Sequence, residues 1–178
     1  MNAYSTPNMR LSVKNQQKQH PLNRAKLREL VQALANEIRQ RYMPCGSWGE
    51  LSVTVTDDRG ITEMNRRHLG RDGPTDVIAF GYLPIPGESA AIDGDIIVNL
   101  ERAWQEAARR KCSPERELAT YITHGLLHLT GEDDATPAQR RRMRRLEQTV
   151  ISRVLKEKDR ATSTFAIFRQ GARRAGGG

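Results

Sequence analysis

The stretch from Ser113 to Gly131 constrains the fold of this chain more than any other. Ser113-Pro114-Glu115 predicts a helix start, because serine is a good N-cap, proline fits the first helical position and an acid favours the first turn. Gly131 can end the helix, because glycine readily adopts the left-handed conformation of a last turn. The apolar residues between them lie on almost every side of the helix: Leu118, Tyr121, Ile122, Leu126, Leu127 and Leu129. Such a helix has to be buried, so the rest of the chain must pack around it.

The flanking segments predict one small sheet and further helices. Short or alternating apolar runs predict strands at residues 11–13, 51–56, 77–80 and 94–98. Apolar residues at helical spacing predict a helix at about 23–42 and a short helix that Asp57 or Asp58 caps and Gly70 ends. A third helix has Asn99 as its cap and extends at least to Ala107, and a capping box that begins at Thr136 opens a last helix, which continues to about residue 158. The order is strand, helix, strand, helix, strand, strand and three helices. This order predicts an α+β fold, with a single small mixed β-sheet of about four strands packed with helices around the central buried helix.

Two histidines in the central helix are the first indication of chemistry. His124 and His128 are four residues apart, a spacing that stacks both imidazoles on one edge of a helix. Three carboxylates follow the predicted helix end, at Glu132, Asp133 and Asp134. Two imidazoles and one oxygen ligand with an open fourth position describe a catalytic zinc site. The alternative is a packed, hydrogen-bonded pair of histidines beside a solvated acidic loop, because the HxxxH pattern alone is short.

The distribution of charge favours a polyanionic partner. The chain has a net charge of +8, and five arginines fall within residues 140–145. Residues 156–178 add six basic and two acidic side chains, so the remainder of the chain is close to neutral. Basicity concentrated in this way predicts a docking surface for a polyanion such as RNA. The alternative is a solvated arginine-rich helix face followed by a disordered tail.

Length and cysteine usage predict the organisation of the chain. A chain of 178 residues suits one domain, and we expect a flexible leader at 1–8, the domain at 9–157 and a basic, disordered tail at 158–178. No apolar run approaches the roughly 18 residues of a membrane span, and the polar N-terminus lacks the apolar core of a signal peptide. Cys45 and Cys112 are isolated, which favours a reducing cytoplasm.

Three segments, in order, resemble the YbeY family of single-strand-specific metallo-endoribonucleases. They are Gly-Arg-Asp-Gly-Pro-Thr-Asp-Val-Ile-Ala-Phe at 70–80, preceded by Asn65, then Gly-Asp-Ile-Ile-Val at 94–98, and the histidine motif with its acids at 124–134. The likeness extends over roughly residues 9–157. It implies a cytoplasmic endoribonuclease with one zinc ion per chain that acts in 3′-end maturation of small-subunit ribosomal RNA and in ribosome quality control. The implied partners are single-stranded or ribosomal RNA and the small ribosomal subunit, without a membrane or a nucleotide cofactor.

The resemblance also implies which residues hold the metal. By position they are His124, His128 and Asp134, although the family pattern usually ends in a third histidine where this chain has Asp134. A carboxylate oxygen is an ordinary zinc ligand, so two histidines and one aspartate remain a chemically sound set. Glu132 and Asp133 stay open as ligands or as neighbours that orient the ligands.

A second departure from the family concerns the substrate. The family usually has an arginine where this chain has Leu69, and Arg71 or Arg67, or else Arg66, could supply the phosphate contact instead. The alternative for these arginines is plain surface charge. A metal-bound water is the expected nucleophile, and no side chain is identified as the general base.

Two other functions remain open at this point. A metalloprotease-like hydrolase is disfavoured, because Gly125 stands where HExxH proteases have their catalytic glutamate. A non-catalytic, zinc-stabilised RNA-binding factor in ribosome assembly is the stronger alternative, since both Leu69 and Asp134 depart from the catalytic pattern.

Overall fold

The computed structural model describes residues 9–44, 46–83, 91–156 and 165–168. Within these ranges the elements follow the predicted order: β1 (Arg10–Asn15), α1 (Arg24–Tyr42), β2 (Trp48–Thr56), α2 (Asp58–Leu69), β3 (Val77–Tyr82), β4 (Ile92–Asn99), α3 (Leu100–Arg110), α4 (Pro114–Leu129) and α5 (Pro137–Leu155). The predicted α+β class is confirmed. The predicted leader at 1–8, Cys45 and most of the predicted tail lie outside the described residues.

A four-stranded mixed sheet forms the base of the fold, in the order β1-β2-β4-β3. β1, β2 and β4 are parallel, whereas β3 runs antiparallel to β4. Val13 lies opposite Val53, and Val53 lies opposite Ile96, so the buried residues of three strands form one row across the same face. Pairing in any register shifted by one residue would turn these side chains to the other face, which is why the alternating pattern fixes the register.

The main core lies on the face of the sheet that carries this row. It contains α4, whose Leu118, Ile122 and Leu126 are fully buried, and α4 contacts α1, α3 and α5 as well as β3 and β4. The opposite face carries a smaller cluster in which Ile61 of α2 packs with Ile78 and Ile97. The central helix predicted from its apolar surface is therefore surrounded as expected. No helix in the described ranges has both the length and the apolar surface needed to cross a membrane.

Two glycines allow α4 to pass unusually close to β4. A Cβ atom on Gly125 would lie 2.8 Å from Cγ2 of Ile96, and one on Gly94 would lie 2.7 Å from both δ-carbons of Leu129. These distances are shorter than side chains tolerate, so both positions require glycine at this spacing. Since Gly125 follows His124 directly, the close approach fixes the height of the two histidines above the sheet.

Two strands begin earlier than the sequence predicts. β2 begins at Trp48 rather than at residue 51, and β4 begins at Ile92 rather than at residue 94. The additional residues are held by contacts between the strands, since the Ile92 N–H donates to the carbonyl of Ser47 at 2.9 Å. Trp48 is itself buried, and its indole Nε1 donates to the Ala35 carbonyl at 2.8 Å. Because these residues are held by contacts with distant parts of the chain, they show no alternation of apolar and polar residues from which a strand could be predicted.

Residues 165–168 lie against the core, although they belong to the segment predicted to be a disordered tail. Ile167 is completely buried, and its carbonyl accepts a hydrogen bond from the Asn23 N–H at 2.8 Å. The buried carboxylate of Glu115 accepts from the backbone N–H groups of Phe165 at 2.8 Å and Ile167 at 3.2 Å. Part of the tail is thus packed, while the predicted disorder of its other residues falls outside the described ranges and stays a prediction.

Candidate metal centre

The side chains of His124, His128 and Asp134 converge at the C-terminal end of α4. The two Nε2 atoms are 2.9 Å apart. Asp134 places Oδ2 at 3.8 Å from Nε2 of His124 and Oδ1 at 3.9 Å from Nε2 of His128. One donor atom of each residue lies within 4.8 Å of the other two, so the three could bind a single metal ion.

The remaining ring nitrogens are both fixed by hydrogen bonds. Nδ1 of His124 lies 2.7 Å from the Glu147 carboxylate, and Nδ1 of His128 lies 2.9 Å from the backbone carbonyl of Glu132. A carboxylate and a carbonyl only accept, so each Nδ1 must carry the proton, and a neutral ring then has its lone pair on Nε2. Two lone pairs that face each other at 2.9 Å repel unless a cation or a proton lies between them. The site is thus built to receive positive charge.

The donor set fits a zinc ion. Two nitrogen ligands of a tetrahedral zinc ion lie about 3.3 Å apart, given bond lengths of about 2.0–2.1 Å. The 2.9 Å separation of the two Nε2 atoms is within a small side-chain rotation of that value. Asp134 supplies the oxygen, and three protein ligands leave a fourth position open, as in catalytic rather than structural zinc sites. The residues present therefore fit the metal that the sequence predicts.

The pKa of His124 reflects the charge balance of the site. Burial of the ring disfavours the imidazolium and is the largest single influence on this pKa. The hydrogen bond to Glu147, together with the negative charges of Glu147, Asp134 and Asp76, outweighs burial and raises the pKa above its ordinary value. The surroundings of His124 thus stabilise positive charge at this ring, whether it is a proton or a metal ion.

Only one of the three acids after α4 points toward the histidines. Glu132 forms a bidentate ion pair with Arg142 of α5, with both N–O distances at 2.7 Å, and the hydrogen bonds from Arg142 lower the pKa of this carboxyl. Asp133 accepts from the Asp134 N–H at 2.7 Å and from the side chain of Gln139 at 3.4 Å. The carboxylates of Glu132 and Asp133 are both outside the cluster that could hold an ion, so Glu132 serves the site through its backbone carbonyl.

A cavity of about 540 Å³ opens beside the two histidines, between β3 and the loop that follows α2. Leu69 and Arg71 both line it. Leu69 is 44% exposed and brings no charge to the wall. Within the described part of the chain, no ion pair engages the side chain of Arg71. Arg67 and Arg66 are outside the lining and pair with Glu63 at 3.1 and 3.3 Å. Of the three candidate arginines, the structure brings Arg71 alone to the cavity.

Three side chains whose contacts the sequence does not predict hold the wall of this cavity. Asn65 donates to the carbonyl of Gly73 at 2.8 Å, and Asn99 donates to the carbonyl of Thr75 at 3.2 Å. Arg102 pairs with Asp76 at 2.6 Å. Asn65 and Asn99 are buried polar residues, and a buried amide has to satisfy its hydrogen bonds within the protein. These contacts attach the Gly-Arg-Asp-Gly-Pro-Thr-Asp segment to α2, β4 and α3 beside the histidines.

The partners of the ligands were also missed by sequence reasoning. Glu147 and Arg142 both belong to α5, whose arginines suggested only a charged surface. For Glu147 a signal was present, because it is the single acid in α5 and lies on the buried face with Met143 and Val150. A carboxylate at an inward position requires a partner, and here the partner is His124. For Arg142 no comparable signal exists, since its neighbours in sequence are arginines as well.

Comparison with known proteins gives a consistent picture. A family model described as Endoribonuclease YbeY matches residues 12–155. Curated proteins named Endoribonuclease YbeY are similar to the chain: that of Geobacter metallireducens is 31% identical over 150 residues, covering 81% of this chain and 95% of its own length. That of Syntrophomonas wolfei is 38% identical over 118 residues, covering 61% and 75% respectively. The solution structure of TM1509 from Thermotoga maritima matches with a TM-score of 0.57 and 21% identity, covering 82% of this chain and 89% of that one, a likeness of fold alone.

Proposed function

Because the chain belongs to the YbeY family of endoribonucleases, we propose that it is a zinc-dependent enzyme that hydrolyses phosphodiester bonds in single-stranded RNA. Membership of the family gives the chain its class, a nuclease that hydrolyses RNA. The metal, the preference for unpaired RNA and the biological setting belong to the proposal. In that setting the protein acts in the cytoplasm, on the small ribosomal subunit, in 3′-end maturation of its RNA and in ribosome quality control.

The observation that carries this proposal is the convergence of two Nε2 atoms and one carboxylate at the end of α4. His124, His128 and Asp134 would hold one zinc ion. When bound, zinc supplies Lewis acidity toward a phosphoryl oxygen and toward water. Glu147 and the Glu132 carbonyl hold the Nδ1 protons, and thereby keep each Nε2 available as a ligand.

Arg71 is the residue best placed to bind the phosphate. It lines the cavity beside the histidines, and a guanidinium can contact a phosphate through two parallel hydrogen bonds. Arg67 is less suitable, because its guanidinium pairs with Glu63 away from the cavity. Leu69 leaves the position usually held by arginine in the family without charge, so in this chain Arg71 would take over that role.

The close contact between α4 and β4 argues against peptide hydrolysis by the HExxH mechanism. That mechanism needs a glutamate directly after the first histidine. Here the position is Gly125, and even a Cβ atom would lie 2.8 Å from Ile96. A glutamate side chain has no room at this position, so the role of Gly125 is to allow the close packing of α4 on β4.

The decisive experiment compares Asp134→Ala with Asp133→Ala, its neighbour in the same loop. We measure zinc per chain and cleavage of a single-stranded RNA for both variants and for the wild type. We expect about one zinc ion in the wild type and in Asp133→Ala. Loss of an outer hydrogen-bond partner costs a metal site about 10–100-fold in affinity. Loss of a ligand should cost more, so Asp134→Ala should lose both zinc and cleavage.

The other outcomes separate the alternatives. Equal loss of zinc from both variants would mean that the loop as a whole, rather than Asp134, holds the metal. Zinc without cleavage in the wild type would favour the non-catalytic assembly factor, with Leu69 as the position that explains the lost activity. A wild type without zinc would contradict the metal centre.

A further inference from the structure

A second groove leads away from the metal centre, and it shares Thr75, Val77 and His124 with the cavity beside β3. It lies between α4 and α5 and has a volume of about 1070 Å³. His124 lines both spaces, and Asp134 lies at the near end of the groove. The groove extends along α5 as far as Ser152. The candidate metal centre therefore lies between two open spaces rather than at the bottom of one.

The walls of this groove are rich in arginine. Its lining includes Arg110, Arg116, Arg140, Arg144 and Arg145. Arg144 and Arg145 are exposed, and neither side chain has a hydrogen bond or an ion pair with any residue that the structure describes. Other arginines on the same side of the molecule are engaged: Arg142 is held by Glu132, and Arg110 by Glu117 at 2.9 Å. Two guanidinium groups thus remain available for an external anion.

The acidic residues of the groove do not cancel this charge. Glu117 is buried and paired with Arg110, Glu147 is hydrogen-bonded to His124, and Asp76 is paired with Arg102. Asp134, the fourth acid of the lining, faces Nε2 of both histidines. Arg144 and Arg145 are adjacent on α5, whereas Arg140, one turn earlier, donates to the backbone carbonyls of Asp134 and Ala135. Two neighbouring guanidinium groups along an open groove suit a chain of phosphates better than a single anion.

We propose that the groove between α4 and α5 binds the phosphate backbone of the RNA strand on one side of the cleaved bond, through Arg144 and Arg145. This inference rests on the proposed function and deepens it, because it gives the substrate a path. The strand enters or leaves along α5, passes the metal centre at His124 and continues into the cavity lined by Arg71. The substrate footprint is therefore several nucleotides long. An RNA too short to reach α5 loses this contact.

The test uses Arg144→Gln combined with Arg145→Gln, with Arg141→Gln as the matched control. Arg141 lies on the same helix and is exposed, but it is outside the lining of the groove. Binding of a labelled single-stranded RNA of about 12 nucleotides is measured at several salt concentrations. The Asp134→Ala background is used for every variant, so that the RNA stays intact.

Each phosphate contact to single-stranded nucleic acid contributes about 0.7 to the slope of log K against log salt, so the double variant should lower the slope by about 1.4. Arg141→Gln should leave the slope unchanged. With Asp134 restored, the double variant should raise KM for the 12-nucleotide RNA and leave an RNA of about 4 nucleotides unaffected.

An unchanged slope in the double variant would overturn the inference, as would no measurable binding of the RNA. An equal decrease of the slope in Arg141→Gln would also overturn the inference, because it would show that the total positive charge of α5, rather than contacts within the groove, determines RNA binding. If the wild type bound RNA through Arg144 and Arg145 but did not cleave it, the result would support RNA binding by the groove and contradict the proposed nuclease function.

Discussion

At the level of single residues, the groups bonded to the outer nitrogens decide what the two histidines can do. Glu147 and the Glu132 carbonyl hold the Nδ1 protons of His124 and His128. The two partners differ in strength, since a charged carboxylate polarises an imidazole more than a backbone carbonyl does. The Glu132 carbonyl is in turn kept in place by the ion pair between the Glu132 side chain and Arg142. The site thus depends on α5 as much as on the motif itself.

Replacing Glu147 should therefore weaken metal binding without removing a ligand. We expect Glu147→Ala to lower zinc affinity by about 10–100-fold, because the His124 ring loses both its orientation and the carboxylate that raises its basicity. Glu147→Gln should cost less, since its amide oxygen can still accept the Nδ1 proton. Competition with a chelator of known affinity measures both effects. Gln148→Ala, its exposed neighbour in sequence, is the control. An affinity in Glu147→Ala equal to that of the control would exclude a role for Glu147 in holding His124.

The part of the candidate site that could be predicted from the sequence consists of residues close together in the chain. His124, His128 and Asp134 fall within eleven residues, 124–134, so helix geometry and one turn were enough to bring them together. Glu147 and Arg142 reach the site only because α5 packs against α4, and a single sequence does not show which helix faces pair. The choice of Arg71 over Arg67 likewise depends on a pairing with Glu63 that was not predicted.

At the level of secondary-structure elements, the distance between α4 and β4 is set by two residues without side chains. Gly125 of α4 packs against the side chain of Ile96 in β4, and Gly94 of β4 packs against the side chain of Leu129 in α4. Glycine in a helix costs about 1 kcal/mol relative to alanine. Keeping it at position 125 is favourable only because the close contact forbids a methyl group. A wider spacing would move both histidines away from the cavity beside β3.

Gly125→Ala should accordingly destabilise the protein despite the better helix propensity of alanine. Overpacking costs about 1–3 kcal/mol, against a gain of about 1 kcal/mol in propensity, so we expect a net loss of up to about 2 kcal/mol. In an Ile96→Ala background, where Cγ2 is absent, the same substitution should be neutral or stabilising. Denaturant unfolding of the four proteins in this cycle gives the coupling between the two positions. Stabilisation by Gly125→Ala in the wild-type background would show that α4 can shift away from β4.

The limits of the helices were better predicted than those of the strands, for a physical reason. Helix starts are encoded locally: the predicted N-caps Asn99, Ser113 and Thr136 each accept a hydrogen bond from a backbone N–H of the first turn. Of the two predicted alternatives for α2, Asp57 rather than Asp58 is the cap. Strand ends depend on a partner strand. Trp48 and Ile92 face each other in the register of β2 with β4, and neither alone resembles a strand end. The strand order, with β4 between β2 and β3, was not predicted for the same reason.

At the level of the whole molecule, residues 165–168 contribute to the fold beyond the predicted domain limit at residue 157. Phe168 forms a β-bridge with Leu22 and packs its ring against Trp104 at a centroid distance of 5.3 Å. Trp104 in turn stacks on His20 at 4.3 Å. These contacts join the segment before α1, the face of α3 and the chain beyond α5. Nothing in the sequence identifies Glu115 as the acceptor of the N–H groups of Phe165 and Ile167.

The packed segment should make a measurable contribution to stability. Ile167 is fully buried, so Ile167→Ala should lower the free energy of unfolding by about 2–5 kcal/mol. Removal of residues 157–178 should cost at least as much, because it also leaves the Glu115 carboxylate and the Asn23 N–H without these partners. Removal of residues 169–178 alone keeps every one of these contacts, so it is the matched control. The unfolding temperatures of the three variants are compared with that of the wild type, and only the removal of residues 169–178 should leave this temperature unchanged. If Ile167→Ala unfolded at the wild-type temperature, the segment would be an appendage of the domain, and the domain would end with α5 as the sequence predicts.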